Sequence, residues 1–283
     1  MARKSGWESE ASRPEMTGRL QYHIRCRPGD IAKYVLLPAD PGRVELIAQT
    51  WDERKEISRH FGHVTYSGEV GGIPLTACST GIGGASAANA VEELAELGAD
   101  TFIRVGTTGA IWDHIELGDL IITTGAVRYD GASSQYVDLA YPACADYEVV
   151  AALVEAAERL GHPYHVGISA STASFYCGQA RPGFQGYWQS WMNDKIADLR
   201  AAKVLSFEME AGTILTMSNL FGLRAGSVCA VVANRITNKF ADIGVDRCIQ
   251  VAIEAVRVLH EWDVVKAAQG KRRWHPSLTA TVR

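Results

Sequence analysis

Two carboxylates stand two residues apart in S-F-E-M-E-A-G, at Glu208 and Glu210, where a hydrophobic run gives way to a helical pattern. A carboxylate accepting two hydrogen bonds suits a pair of vicinal hydroxyls, so the pair reads as a ribose clamp. The competing reading is two acids in a first helical turn, stabilised by the helix dipole. A second group, T-F-I-R-V-G-T-T-G, sets Arg104 among residues of buried type. Desolvating that guanidinium is costly unless an anion meets it or a core carboxylate pairs with it. Thr107 and Thr108 add hydroxyl donors, and Arg43 in D-P-G-R adds a second cation. Two arginines with hydroxyls suit orthophosphate or a phosphate ester.

Other clusters are less specific. S-T-G-I-G-G (Ser79 to Gly84) lets backbone amides approach an anion at a helix start, or is an ordinary glycine connector. It matches neither dinucleotide nor triphosphate glycine motifs, which argues against a nucleoside triphosphate. Asp40 reads as a helix cap. His23, His60 and His63 lack metal-ligand spacing, and no catalytic metal is expected. Cys177 in F-Y-C-G-Q has no adjacent base in sequence, so no covalent nucleophile is argued.

The elements that must position these groups follow from periodicity. Short apolar runs alternate with amphipathic segments from about Tyr34 onward, which predicts an α/β fold: one domain, a mixed central β-sheet flanked by helices. Strands are expected at Tyr34 to Leu37, through the paired runs V-T-Y-S-G-E-V and I-P-L-T-A-C-S, at T-F-I-R-V-G, Asp119 to Val127, His165 to Ala173 and A-G-S-V-C-A-V-V-A-N. Helices are expected after S-T-G-I-G-G, over Y-E-V-V-A-A-L-V-E-A-A-E-R-L-G, after E-M-E, and from Val245 to Lys266. The polar clusters fall at strand ends, where α/β sheets bind ligands, and this predicts one shared site. The domain is set at residues 17–268, with loose tails at 1–16 and 269–283.

Composition excludes several classes. Among 283 residues the formal charge is −4 with both signs interspersed, which leaves no basic face for nucleic acid and no polybasic stretch for a membrane surface. The apolar runs fall short of the roughly 20 residues a membrane span needs, and the polar start lacks the apolar centre of a signal peptide. The six cysteines lie far apart without a C-x-x-C pair, which fits a reducing cytoplasm.

Taken together, S-T-G-I-G-G, A-V-E-E-L-A-E-L-G, R-V-G-T-T-G-A-I, V-R-Y-D-G-A-S, F-Y-C-G-Q-A-R, F-E-M-E-A-G-T-I-L-T-M and G-L-R-A-G-S-V-C-A-V-V-A-N-R resemble the nucleoside phosphorylase family, in this order and from about His23 to Leu259. The resemblance implies that family's fold and reversible phosphorolysis of a pyrimidine ribonucleoside, with orthophosphate as co-substrate and no cofactor. It implies that Arg43, Arg104, Thr107 and the Ala39 amide hold phosphate. Glu210 would clamp the ribose with Met209 against the sugar; Gln179, Arg181 and Arg235 would read the base. Phe175 would stack on the base, while Thr108 and Gly109 line its pocket. Arg104, Glu210, Gln179 and Arg181 are the implied catalytic set.

The resemblance further implies a homohexamer, a trimer of dimers, in which His23 and Arg59 reach a neighbour's site. Arg59 sits in R-H-F-G-H-V-T-Y, which is spaced differently from the family pattern. His60 follows it where some relatives use a nearby glutamate for a monovalent cation. Ala39 stands where the family has glycine, and a weakened phosphate site is expected if that position needs a positive φ. A-N-R at Ala233 to Arg235, in place of a serine–aspartate pair, favours a pyrimidine. A nucleosidase, a phosphorylase for another nucleoside and a non-catalytic nucleoside-binding protein are the alternatives.

Overall fold

Four consecutive apolar residues form β3 (Tyr34–Leu37), buried along its whole length, as expected of a strand covered on both faces. The structure is a computed structural model that describes residues 10–280. A small ribbon of β1 (Glu15–Met16) and β2 (Leu20–Gln21) precedes β3. Next come α1 (Pro41–Ala48), β4 (Glu53–His60), β5 (His63–Val70), β6 (Ile73–Cys78), α2 (Gly84–Glu96), β7 (Thr101–Ala110), β8 (Leu120–Tyr129), β9 (Ala143–Cys144) and α3 (Tyr147–Leu160). The chain continues through β10 (Tyr164–Thr172), α4 (Lys195–Ala201), β11 (Val204–Glu208), α5 (Ala211–Phe221), β12 (Arg224–Asn234), β13 (Lys239–Phe240), α6 (Val245–Ala268) and α7 (Pro276–Ala280).

Local chemistry sets most of these boundaries. Asp40 caps α1 by accepting the Gly42 N–H, with Pro41 in the first turn. Asp146 caps α3, which stops at left-handed Gly161. Gly71 and Gly72, both left-handed, close the β5–β6 hairpin. The longest strand absent from the sequence reading is β4. Its E-R-K-E-I-S-R-H has no apolar alternation, because it is an edge strand whose charges guard unpaired backbone groups.

The sheet is more closed than the sequence suggests. β12 pairs in parallel with β7 and antiparallel with β8. β8 pairs with β10, β10 with β11, and β11 returns to β7, so the five strands form a ring. From β7 the sheet extends outward through β3, β6, β5 and β4. One core lies between this sheet and α1, α3 and α6; a second lies under α2 and α5.

One edge of β7 is shared, and this creates the site. β3 occupies Thr101 to Arg104 of that edge, whereas β11 occupies Gly109 and Ala110. Between them the edge is unpaired, because β3 departs toward Ala39 and Arg43 while β11 ends in Glu208. A crevice opens at such a divergence.

The expected loose tails are corrected where they are described. Residues 1–9 and 281–283 lie outside the described residues, but Glu15–Met16 is paired within the small ribbon. At the other end Trp274 stacks on Trp262 at 3.8 Å, its N–H donates to Glu148, and its carbonyl accepts from Tyr147. Leu278 is buried as well. Trp274→Ala is therefore expected to lower stability by about 2–3 kcal/mol, at the low end for large aromatic truncations because the ring is only partly buried. Thermal denaturation measures it; an unchanged midpoint would mean that the tail is not held.

Candidate active site

Arg104 enters the crevice from the middle of β7 and is only 3% exposed. Its Nε donates to Glu208 at 2.8 Å and its Nη2 to Glu210 at 2.6 Å. Nη1 has no hydrogen-bond partner among the described residues. An unpartnered buried N–H costs roughly 1–3 kcal/mol, a cost that an anionic ligand would remove. Arg104 is therefore a core ion pair with one donor left over. Burial opposes its charge, but the carboxylates of Glu210 and Glu208 outweigh that and hold the guanidinium protonated above its ordinary range. Gly106 makes room for this, since a Cβ there would lie 2.8 Å from both the guanidinium carbon and Cys229 Sγ.

The two glutamates divide the roles that the sequence left open. Glu208 accepts from Arg104, from Ser171 Oγ, and from the backbone N–H groups of Glu210 and Ala211 at 2.8 Å each. It is the acid at the helix N-terminus, with its acceptor capacity spent inside the protein. Glu210 is held by Arg104 and by the Gly83 N–H, which donates to Oε1 at 2.6 Å. S-T-G-I-G-G thus directs its helix start at a carboxylate of the chain itself, and left-handed Gly83 provides the amide. Burial, opposed by Arg104, holds the Glu210 carboxyl above the ordinary carboxylate range.

A cavity of about 210 Å³ runs past these groups. It is lined by Ala39, Arg43, Arg104 and Thr107, by Met209 and Glu210, and by Thr108, Gly109, Phe175, Gln179 and Arg181. Cations with hydroxyls, a carboxylate, and an amide beside a guanidinium, all on one cavity, can hold an anion, a diol and a heterocycle together. Gln179 is fixed on both sides of its amide. Its Nε2 donates to Thr172 Oγ1 at 3.1 Å, and its Oε1 accepts from Arg181 Nη1. Arg181 also lies 4.0 Å over the Phe175 ring, and burial followed by repulsion from Arg235 lowers its pKa to about 10.

A profile of the phosphorylase superfamily matches residues 33–261. The chain belongs to the phosphorylase superfamily. Uridine phosphorylase of Thermococcus kodakarensis is 56% identical over 268 residues, covering 95% of this chain and 97% of that protein. Uridine phosphorylase of Escherichia coli K12 is 41% identical, covering 84% and 97%. Guanosine phosphorylase of Halorubrum lacusprofundi is 35% identical, covering 84% and 99%.

In this superfamily member several expected site residues have partners within the chain itself. Thr108 lines the cavity, but its hydroxyl donates to the Phe207 carbonyl at 2.7 Å and is not a ligand donor. One face of Phe175 carries Arg181, so at most its other face is open to a base. Arg235 does not line the cavity: its guanidinium is spent on the carbonyls of Gln179 and Ala180. His23, expected to serve a neighbour's site, lies outside this cavity and is paired with Glu93 at 2.7 Å. Arg59 is exposed and held by Glu45 and Glu56. Of the other histidines, His60 faces the His23 carbonyl and His63 the Ser79 carbonyl, which are structural contacts.

Ala39 requires a correction. It is absent from the positive-φ residues of the chain, so alanine carries no left-handed strain there. Ala39→Gly is accordingly not expected to lower the phosphate KM of this phosphorylase homologue; a clear decrease would restore the idea of a strained loop. The sequence reading also missed Ile82, Gly106, Val232 and Phe240 at the cavity. Gly106 had a local signal in its place two residues after an arginine inside a strand, and Ile82 in its place within S-T-G-I-G-G.

Proposed function

We propose that the chain is a uridine phosphorylase, converting uridine and orthophosphate reversibly to uracil and ribose 1-phosphate. The observation that carries this reading is that one cavity is lined by Arg104, Glu210, Gln179 and Arg181 together. Orthophosphate, held by Arg43, Arg104, Thr107 and the Ala39 amide, attacks C1′ as the C1′–N1 bond breaks. Positive charge builds on the sugar and the bond's electrons pass to the base. The phosphate below and the donors of Gln179 and Arg181 at the base stabilise both ends of that charge separation. Glu210 accepts from the ribose hydroxyls and fixes C1′ between them, with Met209 against the sugar. Phosphate is the nucleophile, and the reading requires no cofactor and no catalytic metal.

Base choice is supported by Asn234. Its amide donates to the carbonyls of Trp112 and Ile115 and accepts from the N–H groups of Ile236 and Thr237. It is consumed by the backbone and contributes no acid for a departing purine. Uracil instead offers an O2, N3–H and O4 edge that an amide and a guanidinium can meet.

The same reading extends to a cytoplasmic homohexamer, a trimer of dimers, with His23 and Arg59 serving a neighbour's site. Arg59 would have to leave Glu45 and Glu56 to do so. Light scattering on the purified protein measures the assembly. The deciding assay is base release from uridine and guanosine, with and without phosphate, while ribose 1-phosphate is followed. Phosphate-dependent uracil release with equal ribose 1-phosphate supports the proposal. Free ribose would mean a nucleosidase, and guanine release in its place would mean a purine enzyme.

A further inference from the structure

The turn that presents Gln179 and Arg181 is closed by its own backbone, the Ala180 N–H donating to the Cys177 carbonyl at 3.1 Å and the Arg181 N–H to the Tyr176 carbonyl at 2.9 Å. Between Gln179 and Arg181, Ala180 is left-handed, at φ 51° and ψ 46°, a region that a residue with a Cβ enters at an energetic cost. Such a conformation persists only where its surroundings hold it. Beyond those backbone bonds, one side chain from a distant strand end braces the turn's carbonyls. Arg235 donates through Nη1 to the Gln179 carbonyl at 2.5 Å and through Nη2 to the Ala180 carbonyl at 2.9 Å. The fork therefore spans the strained residue, and no carboxylate pairs with Arg235 among the described residues. Its own backbone is anchored at the end of β12, where its N–H donates to the Ala110 carbonyl at 2.8 Å.

We propose that Arg235 is a positioning residue that clamps the left-handed Ala180 turn and so holds the Gln179 amide and the Arg181 guanidinium toward the base. The clamp ties the base end of the cavity to β12, which also pairs with β7, the strand of Arg104. Lysine could not replace it, since an ammonium lacks the planar fork that meets two successive carbonyls.

This proposal rests on the uridine phosphorylase reading, and wild-type turnover of uridine, measured first, tests that reading separately. Steady-state kinetics are then taken with uridine and phosphate varied in turn. Arg235→Ala is expected to raise the uridine KM about tenfold, equivalent to about 1.4 kcal/mol, while the phosphate KM stays within about twofold. Arg235→Lys should recover only part of that loss. In an Ala180→Gly background, where the left-handed turn carries no Cβ penalty, Arg235→Ala should cost less than about threefold. A full tenfold loss persisting in that background would overturn the proposal and return Arg235 to direct contact with the base. Equal losses for uridine and phosphate, or no loss in either background, would overturn it too.

Discussion

Arg104→Lys will lower kcat/KM for phosphate by about a thousandfold, the upper range for removing a preorganised donor from a buried site. The guanidinium serves three partners at once: Glu208 through Nε, Glu210 through Nη2, and by our reading phosphate through Nη1. A lysine keeps the charge and thus most of the compensation of the two buried acids, so the fold should survive. It cannot keep the geometry, because a compact ammonium has no planar array of donors to divide among three directions. The loss should therefore appear in phosphate use, with circular dichroism and thermal midpoint close to wild type. A change below about tenfold would remove Arg104 from the phosphate contacts.

Glu210→Ala will lower kcat/KM for uridine by roughly two to four orders of magnitude, since two charge-assisted hydrogen bonds of about 1.5–3 kcal/mol each are lost. The diagnostic is the substrate comparison. With 2′,3′-dideoxyuridine, which has no hydroxyls to clamp, the same variant should lose less than about tenfold by the same reckoning. Equal losses on both substrates would reassign Glu210 to holding Arg104 alone. Wild-type pH dependence carries the same information. Burial, against the pull of Arg104, raises the Glu210 carboxyl above its ordinary range, so this group accepts its proton earlier than an exposed carboxylate as pH falls. Protonation weakens it as an acceptor, and uridine kcat/KM should decline on that acid limb. The limb should be absent from Glu210→Ala.

Much of the fold was legible because it is written locally. The β3 run, the Asp40 cap and the Gly71–Gly72 turn are short-range signals, and the structure follows each of them. β4 was illegible because an edge strand buries little and therefore carries charges, the same composition as a loop. The C-terminal segment was read as loose because its anchor, Glu148, lies 126 positions away from Trp274.

Most of the candidate site was legible in its residue types but not in its partnerships. Glu208 and Glu210 are indistinguishable in E-M-E, and their roles separate only because Ser171 and the first turn of α5 consume one while Gly83 orients the other. Arg235 reads as a ligand group in A-N-R, yet its fork is taken by carbonyls more than fifty positions earlier.

The sequence by itself determined the order of strands and helices, their caps, and the placing of polar clusters at strand ends, because periodicity and capping act over a few residues. It also carried the family, through seven stretches spread over most of the chain. Tertiary structure alone decided that β7 and β12 close the sheet into a ring, that the crevice opens where β3 and β11 part, and which charged group faces the cavity. A buried charge takes its partner from whatever the fold brings within about 3 Å, and here those partners lie as far as 127 positions apart in the chain.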